Sequence, residues 1–294
     1  MRNSKRPELE QFISKSQRTA IRTQNTGTQN IVINMSTITI FKKFIAEFLG
    51  TLILTYAVLS SITTNNASYL TIVWTHGFSI LVLALIFGPV SGGHFNPAVT
   101  LAFLLKTDRE KRIPVSHLFG YIFSQFLGGF CAGFLNYGMF PKHYRDKTSL
   151  QAVTQNNGET LDIGPLAIRD NDNLGYTAMF FHECLGTFYL VLAALLSSQL
   201  KNNFIKETVQ NLNFTYFSAI FIAMMITYVG LMGHLYYAGI NPAREWGPRL
   251  AGAVIYGSSA AFTSYCWVPL VGPLVGSVLA AVVYHLITFL YEED

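Results

Sequence analysis

Charge is what this sequence has least of. Only 12% of its 294 residues are charged, against 51% hydrophobic, and the mean hydropathy is +0.35, which leaves too few charges to coat a soluble domain of this size. Cysteine is equally sparse. Cys131, Cys184 and Cys266 all fall inside apolar stretches, with no zinc spacing and no disulfide framework, so no metal is expected. The sequence also has no set of nucleophile, base and oxyanion donor, no metal cluster and no phosphate loop. It is therefore not expected to be an enzyme, to carry a cofactor or to bind nucleic acid. The stretch from Gln11 to Asn30 offers no apolar core after the basic start, so no secretory signal peptide is expected.

What the chain does have is apolar length. A bilayer core of roughly 30 Å needs about 20 apolar residues per helical span, and six stretches qualify: 41–61, 70–90, 115–138, 175–198, 214–233 and 262–290. Glycines within them, among them Gly50, Gly128, Gly129 and Gly276, suit close helix packing in lipid. Residues 1–40 are rich in Asn, Gln, Ser, Thr and basic side chains and are expected to be a disordered tail. Lys and Arg concentrate in that tail, in Lys106, Arg109, Lys111 and Arg112, and in Lys201 and Lys206, which places those segments on the cytosolic side. The loop at 62–69 and the long connection at 139–174 then face outward. Both termini, including residues 291–294, are then expected to be cytosolic.

The chain is duplicated. Ala46-Glu47-Phe48-Leu49-Gly50-Thr51 opens the first span, and His182-Glu183-Cys184-Leu185-Gly186-Thr187 lies in the fourth. A repeat of three spans, about 41–138 and 175–290, forces the second copy to lie inverted in the membrane. Each copy carries one tripeptide, Asn96-Pro97-Ala98 or Asn241-Pro242-Ala243. Asn suits a helix cap and Pro the first helical position, so each tripeptide predicts a helix start. The two helices are expected to end near Leu105 and Gly252, about half a bilayer in length. Entering from opposite faces, they would meet at the midplane with their positive ends converging. The irregular backbone before each asparagine is tolerated at that depth only around a wet cavity.

These residues resemble a known family. AEFLGT, SGGHFNPAVT, HECLGT and GINPAREWGPR are similar to the signatures of the aquaporins, or major intrinsic proteins, over about 41–290. The resemblance implies an all-α membrane fold: six transmembrane helices and two re-entrant half-helices in an inverted three-span repeat, one pore per subunit, assembled as a homotetramer in the lipid bilayer. It implies that Asn96 and Asn241 turn amide donors into the pore and interrupt a proton wire, and that Arg244 is a cationic donor at the outer constriction. By family register, His76, Val229 and Ala238 complete that filter, lying 20, 12 and three residues before their asparagines. Such a filter resembles the plant vacuolar members, which pair His with small residues. Glu245, Arg249, Pro269 and Leu270 instead match positions typical of glycerol-conducting members. The expected main solute is water, with glycerol, urea or ammonia as the alternative. Glu47 and Glu183 are expected to brace the turns before each tripeptide, and His94 and His234 to serve the same turns.

The segment 201–215 is a candidate gate at the cytosolic mouth. Phe204, Leu212 and Phe214 are its apolar plug residues, and Thr208, Thr215 and Tyr216 its candidate phosphorylation sites. Among rival classes, a coupled secondary transporter would need ionisable residues at a moving midplane site beyond the two glutamates. An ion channel is disfavoured by Arg244 and the converging helix ends.

Overall fold

The fold is taken from a computed structural model, which describes residues 35–64, 68–106, 113–140, 175–199, 214–232, 239–257, 262 and 264–291. Those residues form eight helices: α1 Met35–Thr63, α2 Tyr69–Ser91, α3 Pro97–Leu105, α4 Val115–Met139, α5 Gly175–Gln199, α6 Phe214–Leu231, α7 Pro242–Tyr256 and α8 Val268–Tyr291. Five of the six longer helices are long and apolar enough to cross a membrane, and α6 supplies a shorter apolar stretch, Tyr216–Leu231.

The packing repeats itself across the two halves. Helix α4 lies on α1, where a Cβ at Gly128 would press on the backbone of Phe48 and Leu52, and α8 lies on α5, where one at Gly276 would press on Cys184 and Phe188. Phe48 and Leu52 are the positions that Cys184 and Phe188 hold in the second Glu-x-x-Gly-Thr segment. The half-helices exchange partners: α7 packs on α4 and α3 on α8, while α2 and α6 pack on each other. At the first of these crossings Gly129 and Gly247 meet, and a side chain on either would overlap the other helix's backbone. At the second, Val99 and Ala102 pack against Ala280, Ala281 and Tyr284. Small residues bring the axes together in both. Large side chains turn outward instead: Trp74, Phe78, Phe119, Phe123 and Val254 are each at least half exposed, an apolar exterior suited to lipid.

Three boundaries differ from the sequence expectation. Helix α1 begins at Met35, inside the segment assigned to the tail, because Ile38, Phe41 and Ile45 continue an exposed apolar stripe at helical spacing. Helix α8 begins at Val268 rather than near 262, since residues 264–267 form a turn whose Cys266 carbonyl accepts the indole N–H of Trp246. Helix α7 runs 15 residues to Tyr256, about 22 Å, whereas α3 has nine. A Gly in the αL region, Gly92, ends α2, and it is there that the chain turns back toward the midplane.

Candidate functional site

Each half-helix starts as its tripeptide predicts. Asn96 caps α3 with Oδ1 accepting from the Ala98 amide at 2.9 Å, and Asn241 caps α7 by accepting from Ala243 and Arg244 at 3.0 and 3.2 Å. The amide nitrogens reach across. Asn96 Nδ2 donates to the Ile240 carbonyl at 2.9 Å, and Asn241 Nδ2 donates to the Phe95 carbonyl at 2.9 Å. This reciprocal pair joins the two helix tips. For the carbonyls to point that way, Phe95 and Ile240 adopt φ values of 49° and 48°, a left-handed conformation that is costly for any side chain and most so for a β-branched one.

Two buried carboxylates hold those strained turns. Glu47 accepts from the amides of His94 and Phe95 at 3.0 and 2.7 Å, from the Ser91 hydroxyl at 2.6 Å and from Gln125 Nε2 at 2.8 Å. Glu183 accepts from the amides of Gly239 and Ile240, both at 2.8 Å. Neither glutamate has measurable exposure. The backbone donors that the re-entrant turns cannot satisfy within a helix are therefore satisfied by side chains, as burial requires. His94 joins the first turn through Nδ1 to Thr100 Oγ1 at 3.2 Å.

A cavity of about 260 Å³ runs past both asparagines. Its wall includes Gly92, Gly93 and Gly239 beside Asn96 and Asn241, together with the aliphatic side chains of Ile80, Ile222 and Ile226. His76 and Arg244 line it as well. Of the other two filter residues expected from sequence, Ala238 lies outside the described residues. Val229 is wholly buried against Leu190, Ile226 and Ile240, and the cavity wall is formed by Ile226, one turn earlier on the same face of α6. Pro97, Ala98, Pro242 and Ala243 are buried in the first turns of the half-helices. Phe204, Thr208, Leu212 and His234 lie outside the described residues, and Phe214 and Thr215 are described only as backbone. Tyr216 is half exposed at the start of α6.

Arg244 is 6% exposed. Its Nη1 lies 3.2 Å from Glu245 Oε2, and the other oxygen of Glu245 takes Arg249 Nη2 at 2.5 Å. Glu245 thus bridges the two guanidiniums. Arg244 Nε is buried without a partner, a donor left free beside the cavity. Sequence reasoning missed Ser91, Thr100, Gln125 and Tyr121, whose hydroxyl donates to the Ser91 carbonyl at 2.7 Å. Gln125 was detectable as a carboxamide within an otherwise apolar span. It also missed Lys106, counted above with the cytosolic loop charges but 1% exposed in the structure.

A model of the major intrinsic proteins matches residues 34–284. The chain belongs to the major intrinsic protein family. Members are passive membrane channels, and this chain is a channel and not an enzyme. It is similar to a probable glycerol uptake facilitator protein of Thermotoga maritima, 32% identical over 82% of this chain and 97% of that protein. It is also similar to aquaglyceroporin-2 of Rhizophagus irregularis, 31% identical over 86% of this chain and 79% of that one. Among solved structures, the aquaglyceroporin from Plasmodium falciparum shares the fold with a TM-score of 0.66, at 23% identity over 83% of this chain and 95% of that chain.

Proposed function

We propose that this major intrinsic protein conducts glycerol and similar small uncharged polyols together with water, and refuses protons and ions. The observation that carries the reading is the mixed cavity wall, in which the re-entrant turns and the two asparagines occur together with aliphatic side chains. A polyol has a hydroxyl edge and a C–H edge. Carbonyl and amide groups of the turns take the first, and Ile80, Ile222 and Ile226 remove the second from water at a gain of about 25 cal/mol per Å². Sequence reasoning put water first and glycerol, urea or ammonia second. That order is reversed here, because the similar proteins are named for glycerol uptake and because Glu245, Arg249, Pro269 and Leu270 occur at positions typical of glycerol-conducting members.

Proton exclusion follows from counting donors. Each asparagine spends its carbonyl on the helix cap and one N–H on the opposite turn, so its second N–H is what remains for the cavity. A water or hydroxyl at the helix tips accepts from both asparagines and cannot pass a proton along the line. The two converging N-termini, each equivalent to roughly half a positive charge, oppose cations at the same place. His76, Val229, Ala238 and Arg244 form the filter, and Glu47 and Glu183 keep the turns in place. Both termini are assigned to the cytosol, the functional unit to a homotetramer and the gate to residues 201–215.

The test is osmotic. Proteoliposomes holding the full chain are mixed with hyperosmotic glycerol and followed by light scattering. Shrinkage followed by re-swelling faster than in empty liposomes is the expected result. Shrinkage faster than in empty liposomes, with no such re-swelling, makes the protein a water channel only.

A further inference from the structure

Lys106 ends α3 and is almost completely buried, a costly place for an ammonium group unless it is held. Its Nζ donates to Ser198 Oγ at 2.5 Å and stands 5.6 Å from the ring centres of both Phe103 and Tyr284. Ser198 in turn donates to the Leu195 carbonyl at 2.6 Å. Its hydroxyl proton is thus committed to the backbone, and what Ser198 can offer a passing solute is oxygen. Ser197 is committed likewise, to the Ala194 carbonyl at 2.9 Å. Ser197, Ser198, Ser218 and Phe103 all line the cavity that passes Asn96 and reaches Arg244.

One ammonium therefore fixes two wall groups of opposite character: an aromatic face from α3 and a hydroxyl acceptor from α5. Arg244 does not supply that combination, since it only donates. Counted from the asparagine, Lys106 corresponds to Ala251 in the second half, so the feature does not come from the duplication. We propose that Lys106, acting through Phe103 and Ser198, is a positioning residue for a second polyol-selective site, set apart from the Arg244 filter. An aromatic face takes the C–H edge of a short polyol, and the serine oxygens accept from its hydroxyls. The inference rests on the polyol reading given above and adds a residue and a place to it.

The experiment compares glycerol and water permeability in the same proteoliposomes, so that their ratio does not depend on how much channel is present. In Lys106→Met the glycerol-to-water ratio is expected to fall about fivefold, within the range for losing one hydrogen bond of ordinary net strength. Lys106→Arg, which keeps the charge and the donor, should recover most of it. Ser198→Ala should shift the ratio in the same direction by a smaller factor, and it serves as the test if Lys106→Met does not fold. An unchanged ratio in Lys106→Met, or in Ser198→Ala where Lys106→Met gives no channel, overturns the second site and makes Lys106 a packing residue. If the unaltered channel passes water and no glycerol, the polyol reading itself falls, and the second site falls with it.

Discussion

The two re-entrant turns reach one backbone geometry with different chemistry. Before Asn96, Glu47 gathers two amides, a hydroxyl and a carboxamide, and Tyr121, His94 and Thr100 extend the network without adding another charge. Before Asn241, Glu183 gathers two amides, and charge moves into the half-helix itself. Counted from each asparagine, Arg244 stands where Val99 stands, Glu245 where Thr100 stands and Arg249 where Leu104 stands. The first turn is a scaffold satisfied mostly by neutral donors. The second carries a buried guanidinium, Arg244, and the carboxylate that holds it, so the two halves share a geometry and differ in charge.

Breaking that comparison should have its largest effect at the two carboxylates. Glu47→Leu removes the acceptor of four donors and Glu183→Leu that of two. With each orphaned donor costing about 1–3 kcal/mol, Glu47→Leu is expected to lower the melting temperature of the detergent-solubilised channel well below that of Glu183→Leu. Equal losses would remove the claim that the first turn is the more heavily braced. Next comes Glu245→Gln, which removes the negative charge set between two buried guanidiniums and is expected to cost about 3 kcal/mol, against about 1 kcal/mol for Thr100→Val in the same melting assay.

Permeation sharpens the contrast further. Arg244→Ala is expected to change the ratio of glycerol to water passage by about tenfold, equivalent to about 1.4 kcal/mol, while Val99→Ala at the matching position changes it by less than about twofold, as a lost wall contact would. Stopped-flow light scattering on the two variants reads both. The smallest effect is expected at Gly138, where a Cβ meets nothing within 4 Å. Gly138→Ala should leave the melting temperature unchanged or raise it slightly, by the equivalent of about 0.5 kcal/mol, whereas Gly129→Ala, pressed on the Ala243 carbonyl, should lower it.

Much of this architecture was legible in the sequence because it rests on local rules. Asn-Pro at a helix start, apolar runs of bilayer length and the repeated Glu-x-x-Gly-Thr segment each declare themselves within a few residues. What could not be read depends on distant partners. Nothing adjacent to Gln125 says that its amide meets Glu47, and nothing near Lys106 says that a residue beside a basic loop turns inward to Ser198 and two aromatic rings. Likewise, the cross-bonds from each asparagine end on carbonyls of the other half, 144 and 146 residues away. Val229 follows from family register alone, and its burial against Leu190 and Ile240 depends on residues outside its own helix. The start of α8 shifted because a turn stabilised by Trp246 interrupts an apolar run that hydropathy alone treats as continuous.

The central claim is a passage between paired asparagine tips that admits a polyol and stops a proton. Glycerol re-swelling and dissipation of an imposed pH gradient, followed by light scattering and an entrapped pH dye in one batch of proteoliposomes, test it together. The account predicts glycerol entry well above that of empty liposomes, with the pH gradient decaying no faster than theirs. Accelerated proton leak alongside glycerol entry, or no glycerol entry at all, would contradict it.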